Sequence, residues 1–466
     1  MSKLNLLFRL KTRRLKTQSG AYYRLETVRG RHELRARVVH LNCAELAFAD
    51  PVNKPLDVKA QEVLALQGHS KEVFACSWSS ATGQLATGSA DGGARLWLVP
   101  ASLPGGPDAD TPAVLRASTL LDHTSDAASA ASIKAPADSG SDITSVAWSA
   151  DGGTLATACQ DGVIRLWNSD GSFQRLLEGH TGSVFTLKWA PGDKLLLSAG
   201  EDGIAMVWNA AVGSAVGRTA CHTAPVLDVA WRCGEVFASA GTDYAVCVSK
   251  VDVGGGAGGG SAVSTLATYK GHTNEVNAVA WSSNGALLAS ASDDGTAKVW
   301  SFTEGAATAS AAGEGGAAAG GGEGAAENGL LHDLTSHTAE VYCLAWAPHT
   351  GMDSGGVPGA ASASHRMATA SMDCSVRLWD GSTGACLATL QAHSGMVYTV
   401  QFSPDGLLLA SGGFDKAVHV WDAAQGSLVR SHRASGGVYS VQWRGDGMRL
   451  AATLTDFSTH IFDVRE

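Results

Sequence analysis

The sequence predicts an all-β fold, an eight-bladed β-propeller closed by an N-terminal strand, on three observations. One unit recurs along the chain: Gly-His, a short apolar strand ending in Trp, a turn, Leu-Ala-Ser/Thr-x-Ser, Asp-Gly, and a second strand ending in Trp. Its internal spacing is nearly constant. The last unit stops one strand short, while a spare strand precedes the first.

The unit is plainest at residues 68–97, GHSKEVFACSWSSATGQLATGSADGGARLW, and at residues 271–300, GHTNEVNAVAWSSNGALLASASDDGTAKVW. His69 and Asp91 are 22 positions apart, and so are His180 and Asp202, His272 and Asp294, and His393 and Asp415. His222 and Asp243 are 21 apart; a Gly/Ser/Ala insert at 349–365 stretches His337 and Asp373 to 36. Six residues after the Asp stand Trp97, Trp167, Trp208, Trp300, Trp379 and Trp421, with Ser249 and Phe462 in the fourth and eighth units. Each unit alternates apolar and polar residues in short runs between turns, the pattern of half-buried strands. Four such strands make a blade. One blade cannot bury both faces alone, so the blades must stack and then close. The last unit supplies three strands, near 438–443, 449–454 and 458–464, and Val63–Gln67 is the candidate fourth.

Residues 1–40 carry 11 Lys/Arg against Glu26 and Glu33, a net +9, so with a total of -10 the remainder carries -19. Residues 1–60 are therefore expected to be a basic arm, largely disordered, before a propeller at 61–466 with low-complexity inserts near 100–112, 124–141, 252–262, 302–329 and 349–365. An acidic body argues against sequence-specific nucleic-acid binding and for a basic peptide or protein partner. No apolar run reaches the roughly 18 residues of a membrane span, and the first twenty residues lack a secretory pattern. Nine cysteines without a Cys-x-x-Cys pair, several in apolar strands (Cys76, Cys247, Cys343), read as free thiols in a reduced compartment.

Ser, His and Asp in each unit superficially suggest a hydrolase. A catalytic triad occurs once, in a cleft, whereas this set recurs at one spacing. Its task is to tie the Asp turn to neighbouring strands through buried hydrogen bonds. The Gly run at 254–260 lacks the Lys-Ser/Thr of a phosphate loop. No His/Cys cluster has metal-ligand spacing in sequence. The expectation is a non-enzymatic protein with no catalytic, cofactor or metal residues.

These units resemble the WD-repeat family, whose structural tetrad is His, Ser/Thr, Asp and Trp. Read onto this chain, the tetrad is complete at His69, Ser89, Asp91, Trp97; at His272, Ser292, Asp294, Trp300; and at His337, Ser371, Asp373, Trp379. Gly200, Gly241, Gly413 and Cys159 replace its hydroxyl in other blades, which are expected to be looser. Four of the five inserts fall on the bottom of such a propeller, leaving the top as the working face. In WD-repeat binders the residue four before the strand-a Trp/Phe points to the channel mouth. Here that ring is Phe74, Thr144, Phe185, Leu227, Asn277, Tyr342, Tyr398 and Tyr439, with Glu72, Asp142, Glu275 and Glu340 two residues earlier and Glu201 and Asp293 nearby. Aromatics among carboxylates suit a basic, extended peptide.

Six segments carry a closer resemblance: EVFACSW (72–78), SAGEDGIAMVWNA (198–210), APVLDVAW (224–231), GHTNEVNAVAWSSNGALLASASDDGTAKVWS (271–301), SMDCSVRLWD (371–380) and VQFSPDGLLLASGGFDKAVHVWD (400–422). They are similar to the transducin β-like corepressor family. That resemblance implies a nuclear histone-deacetylase corepressor complex, corepressor and deacetylase subunits and histone tails as partners, and a link to ubiquitin-dependent exchange. The family's LisH and F-box-like segments are not recognised in residues 1–60, where KTRRLK (11–16) reads as a nuclear localisation signal or a solvated arm. The alternative is a substrate receptor of a cullin-RING ubiquitin ligase, whose adaptor would be met through Asp463 and Arg465 in Phe-Asp-Val-Arg, an imperfect Trp-Asp-x-Arg. A cytoplasmic scaffold is a third reading.

Overall fold

The computed structural model describes residues 56–101, 103, 113–123, 141–252, 263–303, 329–348 and 365–465, and the backbone of two strands, 23–29 and 34–40. The described residues contain no α-helix; one 3-10 turn, Ala60–Glu62, stands among thirty-six strands. KTRRLK and most of the five inserts lie outside the described residues. In the N-terminal arm, expected to be largely without structure, Tyr23–Arg29 and Leu34–His40 pair as an antiparallel hairpin.

Eight sheets follow in chain order, each built from four antiparallel strands a to d. In blade 1 these are Val73–Trp78, Gln84–Ser89, Gly93–Leu98 and Thr119–Asp122. Each strand a packs on the next around the ring, and that of blade 8 (Val438–Trp443) meets that of blade 1, so the circle is closed. The seal is the expected one: Val63–Gln67 pairs with Ser458–Asp463 as strand d of blade 8, from Val63 opposite Phe462 to Gln67 opposite Ser458. Two pairings have no counterpart in the repeat. Leu56–Asp57 runs parallel to strand d of blade 7, Leu428–Arg433, and Ala113–Leu115 runs parallel to the closing strand. Both cover outer edges that would otherwise offer unpaired backbone.

The core is a series of wedges between blades. The b strands are buried almost throughout, with Leu85, Leu155, Leu288 and Leu409 each 0% exposed, while the outer d strands keep exposed residues. Strand-a tryptophans staple neighbours: the indole N–H of Trp78, Trp189, Trp231, Trp346 and Trp443 each donates to a carbonyl of the preceding blade's strand a, at 2.9–3.2 Å.

The hydrogen bonds correct the tetrad. The hydroxyl that bridges His and Trp lies two residues earlier than the sequence reading put it. Trp97 Nε1 donates to Thr87 Oγ1 at 2.9 Å, not to Ser89, and Thr87 lies 2.8 Å from His69 Nε2, whose Nδ1 is 2.9 Å from Asp91. Ser290 replaces Ser292 in blade 5, and Thr369 replaces Ser371 in blade 6. Because the Asp accepts from Nδ1–H, Nε2 accepts from the hydroxyl, which accepts from the indole; one polarised chain crosses each of blades 1, 3, 5, 6 and 7. Ser89, Ser292 and Ser371 have another task. Each donates to a carbonyl of the loop entering strand a (Lys71, Asn274, Ala339) and accepts from the blade Asp N–H.

Blades 3 and 7 therefore hold complete tetrads, His180–Ser198–Asp202–Trp208 and His393–Ser411–Asp415–Trp421. They are not the looser blades expected. At Gly200 the entering loop comes so close that a Cβ would overlap Ser183 O, and at Gly413 it would meet His393 Nδ1 at 2.8 Å. Cys159 is likewise no substitute for the hydroxyl. Thr157 bridges His123 and Trp167 in blade 2, and there the Asp161 carboxylate turns to Arg165 at 3.1 Å. Blade 4 keeps His222, Ser239 and Asp243 but has Ser249 for Trp.

This assignment is testable by contrast. Thr369→Val removes a buried hydroxyl and orphans both His337 and Trp379, so it is expected to cost roughly 2–4 kcal/mol. Ser371→Ala is expected to cost about 1 kcal/mol. Urea melts of the two variants measure this; the reverse order would restore Ser371 to the tetrad.

Candidate functional site

The ring of eight rim residues has a common backbone origin. In every blade the register of strands a and b skips that one residue, between Val73 and Ala75 in blade 1 and between Val438 and Ser440 in blade 8. A β-bulge leaves its extra residue out of the ladder and re-aims it. The same start of strand a is tied to the b–c turn by a backbone bond. Ala90 N–H donates to Glu72 O at 2.9 Å, Asp293 to Glu275 at 3.0 Å, Met372 to Glu340 at 2.9 Å and Phe414 to Met396 at 2.9 Å. The rim residue, the residue two before it and the turn residue are thus tied together on the top face.

Four of the five predicted aromatics come together, through a fifth that the sequence reading missed. Tyr342 stacks on Tyr398 (centroids 5.1 Å, interplanar 21°), Tyr398 meets Phe414 at 4.5 Å, Phe414 meets Tyr439 at 5.7 Å, and Tyr439 meets Phe74 at 5.3 Å. The arc is continuous across blades 6, 7, 8 and 1. Phe74 and Tyr398 are buried within it, while Tyr342, Phe414 and Tyr439 are partly exposed. Phe185 stands apart in blade 3. It is 2% exposed and packs on Leu227, so it offers no surface. Thr144 and Asn277 are spent on neighbouring blades, donating to Val184 O and Val341 O.

Carboxylates flank the arc. Glu72 is partly exposed, and its charge together with burial keeps the Tyr439 phenol above its ordinary pKa, burial being the larger cause. Glu340 is buried at the blade 6 end; Asp142 and Glu275 are partly exposed in blades 2 and 5. Glu201 accepts from Ser183 N–H and Oγ–H, and Asp293 accepts from Asn277 at 2.6 Å. The arrangement can hold a cationic chain: ring faces for the stems, carboxylates for the charges.

The ligase-adaptor pair is engaged within the propeller. Asp463 accepts from Arg449 Nε at 2.7 Å, and Arg465 pairs with Asp405 of blade 7 at 2.5 Å.

Two clusters elsewhere carry titratable groups. A cavity of 1290 Å³ at the seam of blades 7 and 8 is lined by His419, His432, His460, Asp415 and Asp456, among others. In blade 4 the structure brings together Cys221, His222 and Cys247, whose ligating atoms lie within 4.8 Å of one another. Sequence spacing could not announce this group, since loop and strand supply its members separately. Its Cys247 contact and the His222 imidazole hold the Cys221 thiol below its ordinary range, against the opposing effect of burial. Cys76 and Cys159, in contrast, are pushed up to about 12 by burial.

The fold, the tetrads and the repeat define a propeller whose blades are one sequence family. The WD domain, G-beta repeat model matches residues 60–97, 131–168, 171–209, 263–301, 328–380 and 384–422, and the chain belongs to that family. It is 36% identical over 355 residues to the mouse F-box-like/WD repeat-containing protein TBL1X, covering 76% of this chain and 58% of that protein. It is 32% identical over 366 residues to WD40 repeat-containing protein HOS15 of Arabidopsis thaliana, covering 77% and 51%. Among solved structures, the C-terminal WD40 domain of Sif2 superposes with a TM-score of 0.64 at 19% identity, covering 89% of this chain and all of that one, a likeness of fold. Within the WD-repeat family this is a transducin β-like protein. The chain spans about half to three-fifths of the length of the curated relatives it matches.

Proposed function

We propose that the chain is a non-enzymatic platform whose top face takes a basic, extended polypeptide such as a histone tail, within a nuclear histone-deacetylase corepressor assembly that regulates transcription. The observation that carries the reading is the unbroken aromatic arc from Tyr342 to Phe74 with Glu72 and Glu340 at its two ends. Aromatic anchors beside carboxylates concentrate binding energy for cationic side chains. The similarity to transducin β-like relatives supports the choice of assembly, and the net charge of -19 beyond residue 40 supports a basic ligand.

Titration of the full chain with histone tail peptides is the test. Tyr342→Ala and Tyr439→Ala, both partly exposed, are each expected to weaken binding about tenfold or more, the loss of one anchor at roughly 1.4 kcal/mol per decade. Glu72→Gln is expected to weaken it less and to flatten its salt dependence. Variants that melt like the parent and bind equally well would remove the top face from the reading. Affinity capture from the protein's own cells addresses the assembly: deacetylase and corepressor subunits are expected, and their absence would leave the face with another basic partner.

A further inference from the structure

Blade 4 departs from its neighbours at three positions that lie against one another. Blades 1, 3 and 5 place Gly68, Gly179 and Gly271 before the tetrad histidine; blade 4 places Cys221. Four residues after the aspartate, blades 1, 2, 5 and 6 place Arg95, Arg165, Lys298 and Arg377; blade 4 places Cys247. Where six blades have Trp, it has Ser249. Blade 1 shows that these positions are neighbours, because a Cβ on Gly68 would stand 3.1 Å from the Trp97 ring and 3.3 Å from the Arg95 guanidinium. In blade 4 both the ring and the long cation are gone, and two thiols stand at that place. Cys221 Sγ lies 3.8 Å from Ser239 Oγ, and Cys247 Sγ lies 3.7 Å from Cys221 O.

The donor set is that of a thiophilic cation. The three ligating atoms are within 4.8 Å of one another. Tetrahedral zinc, at about 2.3 Å to sulfur and 2.0 Å to nitrogen, needs roughly 3.5–3.8 Å between its ligands, a contraction of at most about an ångström. The histidine is already oriented. Its Nδ1 is 2.9 Å from Asp243, leaving Nε2, now 2.8 Å from the Ser239 hydroxyl, to turn to an ion. A carboxylate behind a ligating imidazole is the usual support of such a ligand. Ser249, two residues after Cys247 and so on the same face of strand c, is 0% exposed, and its hydroxyl has no hydrogen-bond partner among the described residues. Cys221 is only partly buried and leaves a way in.

We propose that Cys221, His222 and Cys247 form a binding site for a divalent cation of the zinc class, which locks blade 4 where the tryptophan is missing. Binding displaces the Ser239 hydroxyl from His222 Nε2 and releases to solvent the protons held by the thiols and by the imidazole Nε2. Two sulfurs and one imidazole select against magnesium and calcium, which prefer oxygen.

Titrating the full, reduced chain with cobalt(II) as the probe tests the site. One equivalent is expected to bind with a thiolate-to-cobalt charge-transfer band, to be displaced by zinc, and to raise Tm. Cys221→Ser is expected to abolish the band and the Tm rise, whereas Cys233→Ser, at an exposed thiol elsewhere, keeps both. Should Cys221→Ser melt early without metal, Cys221→His, which retains a ligand, is expected to bind cobalt with a weaker charge-transfer band. A parent chain without the band, a band that survives Cys221→Ser, or a folded Cys221→His chain that binds no cobalt would each overturn the proposal.

Discussion

A chain beginning at Gly68 is expected to lose the cooperative melting transition of the full protein and to aggregate, whereas one beginning at Leu56 keeps it. The difference is the closing strand. Val63, Leu64 and Leu66 are 1–2% exposed against blades 8 and 1, and five residue pairs join the strand to Ser458–Phe462. Burying three such side chains is worth roughly 5–9 kcal/mol, a large share of the 5–15 kcal/mol that about covers a whole domain. Without the strand, Ser458–Asp463 becomes a bare edge with Phe462 and Ile461 uncovered, a template for pairing between copies. Calorimetry with light scattering distinguishes the two truncations. A Gly68 chain that melts within a few degrees of the full protein would mean that the ring is held without this seal. Adding a peptide of residues 56–67 in trans is expected to recover part of the transition.

That seal was legible because a missing strand at one end and a spare at the other are both features of pattern. The tetrad was legible in part. His69, Asp91 and Trp97 sit at offsets that recur from blade to blade, but Thr87 and Ser89 alternate onto the same face of one strand and both satisfy the motif. The indole, reaching Thr87 at 2.9 Å, and the imidazole, reaching it at 2.8 Å, separate them. The rim positions could be read for a similar reason, since the bulge repeats at a fixed distance before the strand-a aromatic. What the rim residues touch could not be read. Phe414 stands one residue before the blade aspartate, where Glu201 and Asp293 stand in other blades and where the residue type changes from blade to blade, yet it bridges Tyr398 and Tyr439. Phe185 fits the pattern but is covered by Leu227 from the adjoining blade. The parallel additions at Leu56–Asp57 and Ala113–Leu115 are too short to carry an alternation.

Acidification from pH 6.5 to 4.5 is expected to destabilise the protein by roughly 3–5 kcal/mol, beginning at the seam of blades 7 and 8. Blade 8 has Ala434 where other blades have the tetrad histidine, and Phe462 for Trp. In compensation the seam packs His432 Nε2 against His460 Nδ1 at 3.0 Å and His419 edge-on to His393 at 4.4 Å. Burial holds His419 and His432 down at about 3, helped by the charges of His393 and His460, and burial lowers His460 as well, against the pull of Asp456. Unfolded histidines take up a proton near pH 6.5, whereas His419 and His432 do so only far below it and His460 below it. The unfolded chain therefore binds more protons throughout this window, and stability falls as the pH falls. The aspartates act later. Burial tends to raise Asp202 and Asp415, but the bonds from His180 and His393 more than offset it and leave both below the usual range. Their contribution is complete above about pH 4 and is lost only below it. His222, raised to about 9 by Asp243 and Cys221 against burial, contributes in full below about 6.5 and is flat across the window. Urea melts at pH 7, 5.5 and 4.5 measure the slope, and His432→Gln is expected to reduce it by about half, since one of two strongly shifted groups is removed. An unchanged slope in that variant would move the acid sensitivity away from the seam and onto the carboxylates.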